Sequence, residues 1–215
     1  MGYLCFRDIP NSTPRAAAAN GCCEMRRACL WGMIGLFALG SGCASLPRGA
    51  GARIDAPPEN RIAALTEDLA ALAPDNPAAA AEAGLIARTA IMRALVLRER
   101  FQPTRSATIN NVYVNMGWRD RGLCYQWAND LLEPLEALEL RHFDLHWGVA
   151  FSGVRLKEHN SVVVTARGRP FAEGVVLDGW RCGGRLVWVR VRDDHKYPWR
   201  ELPGPKLGEL RPLAR

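Results

Sequence analysis

The chain has 215 residues, 48% of them hydrophobic, and a formal net charge of +6 at pH 7. No basic block with interleaved aromatic residues occurs, so the composition gives no support to nucleic-acid binding. Even without residues 1–42, the chain has the length of one domain with a full core.

Residues 25–42 have the pattern of a secretory signal peptide. Arginines stand near its start, an apolar stretch covers 28–39, and small residues over 40–42 suit a cleavage site. The apolar stretch is shorter than the about 20 residues that a membrane-spanning helix needs. Residues 1–24 are interpreted as a misassigned start, with Met25 the true initiator, or as a long N-terminal region of the signal peptide.

Cys43 follows these small residues and resembles the lipidated cysteine of a bacterial lipobox. The resemblance implies that Cys43 carries the lipid and that residues 43–58, rich in small residues and proline, tether the domain. The same resemblance implies that Ala44 after the cysteine, rather than Asp, favours the outer membrane over the inner membrane. We therefore expect a lipoprotein of the bacterial cell envelope that faces the periplasm; ordinary cleavage, giving a soluble exported protein, is the alternative.

The cysteines that follow the tether are Cys124 and Cys182; five of the seven in the chain precede them. An oxidising compartment allows two such cysteines to form a disulfide. A Cys124–Cys182 disulfide is therefore the structural alternative to a reactive thiol at Cys124.

The domain begins with two predicted helices. Apolar residues recur at helical spacing over 59–72 and over 78–101, and two prolines within 74–77 separate the two stretches. We interpret this Ala-rich pair as scaffold. The second helix is expected to bury a stripe of larger apolar side chains, namely Leu85, Ile86, Ile91, Leu95 and Val96.

The rest of the chain is predicted to turn from helix to sheet. Residues 108–118 are expected to be a loop that crosses toward the site, and a helix over 124–140 is expected to be kinked or divided by Pro134. Helices followed by strands predict an α+β fold, and the proline-rich end over 198–212 is expected to be a surface tail. Four strand patterns separated by Gly and Pro predict an antiparallel meander; they cover 143–151, 161–166, 174–177 and 185–192.

Three residues stand where a thiol catalyst needs them. Cys124 opens a predicted helix after a glycine-containing turn, His159 precedes a Val-rich strand, and Asp178 ends another strand. A thiol attacks as the thiolate, and its pKa of about 8.5 falls beside a helix N-terminus or an imidazolium. Cys124 is therefore the candidate nucleophile, His159 the candidate acid and base, and Asp178 the residue that orients His159.

These motifs together resemble the transglutaminase-like branch of the papain fold. The similarity covers about residues 121–191: a Gly two residues before Cys124, a strand that begins at His159, and a strand that ends at Asp178 with Trp180 following. The resemblance implies a domain over 59–215 in which N-terminal helices precede an antiparallel sheet packed on the nucleophile helix.

The chemistry implied is acyl transfer from a protein or peptide amide to water or to an amine, with no metal or organic cofactor. The backbone N–H of Cys124 is the expected oxyanion donor. Trp118, Asn111 and Gln126 are the candidates for a second donor, and each has packing or turn formation as its alternative role.

Other groupings suggest weaker functions. His142 and His146 are four residues apart, but the apolar alternation around them predicts a strand rather than a helical zinc site. The run of Asp193, Asp194 and His195 is interpreted as a solvated turn. The tryptophans that could line a groove are Trp180, Trp188 and Trp199. A catalytically inactive papain-fold lipoprotein, acting as a binding or scaffolding module of the envelope, is the alternative to an enzyme.

Overall fold

The computed structural model describes residues 55–202, except 105, 155 and 156. The predicted signal peptide, Cys43 and most of the tether lie outside these residues. No helix among the described residues is long and apolar enough to cross a membrane. The helices are α1 (Pro58–Ala70), α2 (Pro77–Phe101), α3 (Ala107–Asn115) and α4 (Cys124–Glu136). The strands are β1 (Phe143–Ala150), β2 (His159–Ala166), β3 (Val175–Asp178), β4 (Val187–Arg190) and β5 (Trp199–Glu201).

The strands form one antiparallel sheet in the order β4-β3-β2-β1-β5. The α+β class and the meander of the first four strands are therefore confirmed. The prediction of a tail from residue 198 is wrong at its start, because Trp199–Glu201 pairs with the free edge of β1. A three-residue strand is too short to show a periodic pattern, and its formation depends on an edge that lies about fifty residues earlier in the chain.

The core lies between the helices and one face of the sheet. Helix α4 packs on β2, and α2 packs on both α1 and α4. The predicted buried stripe of α2 is wrong at two positions, since Leu85 and Val96 are 52% and 50% exposed. Small side chains let the helix axes come close, so α2 faces its neighbours mainly with alanines. Its buried residues are Ala79, Ala83, Ile86, Ala87, Ala90, Ile91, Ala94, Leu97 and Phe101.

Helix α4 runs through Pro134 without being divided and ends at Glu136. Proline has no N–H, so the carbonyl of Asp130, four residues earlier, loses its helical donor. Arg93 of α2 supplies the missing donor, with Nε 2.8 Å from that carbonyl oxygen. The predicted division of the helix is therefore wrong, because a neighbouring helix satisfies the group that the proline leaves unpaired.

The predicted loop at 108–118 is largely helix α3, and this prediction is also wrong. Asn and β-branched residues give the segment a low helix propensity. Ser106 caps the helix by accepting from the backbone N–H of Ile109 at 3.4 Å. Asn110 is buried and donates from Nδ2 to the carbonyl of Gly122 at 2.9 Å. A long-range contact with the turn before Cys124 thus accompanies a helix that local propensity does not favour.

Candidate active site

A tightly held turn places Cys124 at the first position of α4. Gly122 has a φ of +131°, and a Cβ there would lie 2.5 Å from Nδ2 of Asn110, so the turn requires glycine. Oε1 of Gln126 accepts from the backbone N–H groups of Gly122 and Leu123 at 2.7 and 3.0 Å. As the first helical residue, Cys124 has a backbone N–H with no acceptor inside the helix and lies at the positive end of the helix dipole.

His159 and Asp178 meet where two paired strands lie side by side. Asp178 is the last residue of β3 and His159 the first of β2, and the antiparallel pairing brings these ends together. Nε2 of His159 lies 2.6 Å from Oδ2 of Asp178, and both side chains are 1% exposed. This bond directs the other imidazole nitrogen away from Asp178.

That second nitrogen, Nδ1 of His159, is buried and has no acceptor of ordinary hydrogen-bond geometry among the described residues. The Cys124 thiol is close enough to interact with the imidazole and to raise its pKa. Cys124 is itself 2% exposed, and its Sγ lies 3.7 Å from the carbonyl oxygen of Glu158. The structure therefore brings Cys124, His159 and Asp178 into one buried cluster.

The electrostatics favour a protonated His159. Burial lowers the pKa of His159 more than any other single influence, yet the charge and hydrogen bond of Asp178, with the contact to Cys124, raise it to about 9. Burial raises the pKa of Asp178, but His159 and Arg181 together hold it well below its usual range. At neutral pH the pair is thus an imidazolium and a carboxylate.

Arg181 extends this pair into a buried chain of charges. Its Nε donates to Oδ2 of Asp178 at 3.0 Å and its second terminal nitrogen donates to Asp194 at 2.6 Å. Asp194 also accepts from Nε1 of Trp199 at 2.9 Å. Asp194 is buried, so its interpretation as part of a solvated turn is wrong, although Asp193 and His195 are exposed. Sequence reasoning missed both Arg181 and Asp194 as members of the site.

Three aromatic rings enclose the imidazole. The ring centroids of Trp180, Tyr197 and Trp199 lie 4.6, 4.9 and 5.2 Å from that of His159. Burial, followed by the charge of Asp178, raises the pKa of Tyr197 to about 12, so its hydroxyl stays neutral. Of the tryptophans considered for a groove, Trp188 instead packs in the main core and donates to Asp68.

The three candidates for a second oxyanion donor occupy different places. Trp118 is 67% exposed and packs on Tyr113. The side-chain oxygen of Asn111 accepts from Nε1 of Trp180 at 3.1 Å, and Gln126 caps the turn before Cys124. The amide that lies against the sulfur belongs to Asn160, whose Nδ2 is 3.8 Å from Sγ of Cys124.

Cys124 is a thiol and not half of a disulfide. Cys182 is disulfide-bonded, but not to Cys124. The alternative of a Cys124–Cys182 disulfide is therefore wrong for this structure, and the sulfur of Cys124 retains the chemistry of a thiol.

The two histidines considered for zinc serve the fold. His142 bonds to Glu82 of α2, and His146 bonds to Glu201 and Thr165. Residues 55–202, as far as they are described, contain no group of three or more potential ligand side chains that could hold a metal ion.

A cavity of about 390 Å³ lies at the opposite end of β2 from His159. At about 3.3 Å per residue, the first and last of the eight residues of β2 are about 23 Å apart. The cavity is lined by Ala71, Leu72, Ala166, Arg169, Glu173, Arg190 and Arg192. It is not part of the Cys124 site.

Comparison with protein-family models, with curated proteins and with solved structures finds no match to this chain.

Proposed function

We propose that this protein is an exported thiol enzyme of the transglutaminase-like, papain-fold type that transfers the acyl group of a protein or peptide amide to water or to an amine. The observation that carries the proposal is the buried 2.6 Å bond between His159 and Asp178 beside a thiol at a helix N-terminus. Residues 43–58 would hold the domain, through lipid on Cys43, at the periplasmic side of the outer membrane.

The reaction follows from the positions of these groups. In the resting ion pair the proton of Cys124 lies on Nδ1 of His159, and the Cys124 thiolate attacks the amide carbonyl carbon. The backbone N–H of Cys124 stabilises the oxyanion that forms. His159 then donates the proton to the leaving amine as the C–N bond breaks, which leaves a thioester on Cys124. Water or a second amine, deprotonated by His159, then attacks the thioester; this step releases the acyl group and regenerates the thiolate and the protonated His159. No metal or cofactor takes part.

The low exposure of Cys124 and His159 supports a second candidate function, an inactive papain-fold module that binds a partner in the envelope. In that case the buried charges serve stability alone and Cys124 has an ordinary thiol pKa. An enzyme requires that a wall of the site moves. Trp180 is the half-buried ring next to His159, and Asn111 of α3 holds it by one hydrogen bond.

Alkylation of the purified domain by iodoacetamide across pH, read by mass spectrometry at Cys124, tests the proposal. We expect an apparent pKa well below 8 that rises in His159→Ala and Asp178→Asn and does not change in His195→Ala, a matched control at an exposed histidine. A Cys124 pKa near 8.5 that does not change in His159→Ala would contradict the enzyme proposal and favour the binding module.

The access step has its own test. Losing the Asn111 bond, worth about 1 kcal/mol, should raise the population of open Trp180 and the alkylation rate about fivefold in Asn111→Ala. Asn115→Ala, an exposed position on the same helix, is the matched control and should leave the rate unchanged. Incubation of the active domain with a glutamine-containing peptide, with and without a primary amine, then separates hydrolysis from amine transfer.

A further inference from the structure

Asn160 lies against the reacting sulfur from a different side than His159. It follows His159 in β2 and is 7% exposed. Successive residues of a strand point to opposite faces of the sheet, so the imidazole and the carboxamide approach Sγ of Cys124 from two directions. The Nδ2 to Sγ distance is 3.8 Å, which is within reach of a hydrogen bond to the large sulfur atom.

A tryptophan fixes which end of the Asn160 amide faces the sulfur. Nε1 of Trp147 donates to Oδ1 of Asn160 at 2.8 Å. Val149 of β1 pairs with Asn160, so Trp147, two residues away, is the diagonal neighbour on the same face. Since an indole N–H can only donate, the amide oxygen must face Trp147 and the amide nitrogen must face Cys124.

We propose that Asn160 is a catalytic residue that donates its amide N–H to the Cys124 thiolate, and that Trp147 is the positioning residue that aims it. This inference rests on the proposed function. A neutral thiol is a weak acceptor, whereas hydrogen bonds to a charged acceptor are roughly twice as strong as those between neutral groups. The Asn160 contact therefore strengthens when the thiol proton moves to Nδ1 of His159, and it shifts that equilibrium toward the thiolate.

The size of the effect follows from that difference. A gain of about 1.4 kcal/mol on ionisation corresponds to one pKa unit, or about tenfold more thiolate in the range below the pKa. Asn160→Ala is expected to raise the apparent pKa of Cys124 by about one unit. Trp147→Phe keeps an aromatic side chain but loses the N–H, so it should raise the pKa by a smaller amount. The pKa in the Asn160→Ala/Trp147→Phe double variant should be no higher than in Asn160→Ala alone.

The experiment measures the thiolate directly by its absorbance near 240 nm across pH, which requires no access for a reagent. The experiment compares wild type with Asn160→Ala and Trp147→Phe, and Cys124→Ser serves as the blank. Ser161→Ala is the matched control: it removes a buried hydrogen bond from the same strand, to the carbonyl of Leu177 at 2.7 Å. Because Ser161 has only a structural role, Ser161→Ala should lower stability without changing the pKa of Cys124.

An unchanged pKa in both Asn160→Ala and Trp147→Phe, with His159→Ala still raising it, would overturn this inference and leave the proposed function standing. If Cys124 has an ordinary thiol pKa in wild type, and that pKa does not change in His159→Ala, both the proposed function and this inference are overturned. If Asn160→Ala does not fold, Asn160→Ser and Trp147→Phe decide the question, since a rise in either supports the inference and no rise in both contradicts it.

Discussion

Arg181 offers the sharpest test of the buried charges at the site. Its guanidinium is fully buried between Asp178 and Asp194, at 3.0 and 2.6 Å, and stacks over Tyr197 at 4.4 Å from the ring centroid. Arg181→Met keeps a long side chain but removes the cation. Two buried carboxylates then remain, and the charges left to balance them are the His159 imidazolium, which bonds to Asp178, and Lys196. Breaking a buried ion pair from one side costs about 3–5 kcal/mol.

That cost predicts a large change in melting temperature. For a domain of roughly 150 residues, 1 kcal/mol shifts Tm by about 2–4 °C, so Arg181→Met should lower Tm by about 6–20 °C. Urea unfolding followed by circular dichroism gives the matching loss in the free energy of unfolding. Arg192→Met, at an exposed arginine, is the control and should stay within about 0.5 kcal/mol of wild type.

A double variant identifies the cause of the loss. Arg181→Met/Asp194→Asn removes the second unbalanced charge, while the asparagine oxygen can still accept from Trp199. It should therefore be more stable than Arg181→Met alone. A loss below about 1 kcal/mol in Arg181→Met, or no recovery in the double variant, would refute the view that Arg181 balances two buried carboxylates.

Two further predictions concern pH and the turn before Cys124. In a Cys124→Ser background the contribution of the thiol to the His159 pKa is lost, but Asp178 still raises this pKa. The free energy of unfolding should therefore fall as pH rises above about 6.5, because the stabilisation is fully present below the unfolded pKa and is lost as pH rises through the folded pKa. Adding His159→Gln should abolish this slope in urea titrations. Gly117 has a φ of +74° and open space around a new Cβ, so Gly117→Ala should lower the free energy of unfolding by about 1–2 kcal/mol. At Gly122 a new Cβ would also meet Asn110, so Gly122→Ala should lower it by more than about 3 kcal/mol and slow the alkylation of Cys124. Equal costs for the two glycine variants would contradict the role given to Asn110.

The predictions that succeeded rest on local signals. The order of helices and strands follows from apolar periodicity and turn residues, and the helix start at Cys124 follows from the glycine before it. The positions of His159 and Asp178 at strand ends could be predicted because the signals for those ends lie in the neighbouring residues. Apart from the Ser106 cap, no local signal distinguishes α3 from a loop, and the contact of Asn110 with Gly122 joins α3 to a separate segment. The exposure of Leu85 likewise depends on which face of α2 meets α1 and α4.

The supporting charges could not be predicted because they depend on the last strand. Asp194 reaches Arg181 only when the chain returns and β5 pairs with β1. The same return brings Trp199 to His159 and to Asp194. No sequence pattern predicts these contacts, because each one joins segments that come together only when the whole sheet has formed.

The same contacts explain how a fully buried imidazole can stay protonated. Asp178 accepts from His159, from Arg181 Nε, and from the backbone N–H groups of Trp180 and Arg181. With its oxygens held by these donors, Asp178 has little tendency to take a proton, so the charge stays on the imidazole. The acceptor left for the second proton, on Nδ1, is the sulfur of Cys124. The buried network therefore favours the thiolate through His159, and loss of Asp178 should lower thiolate formation even in a variant that remains folded.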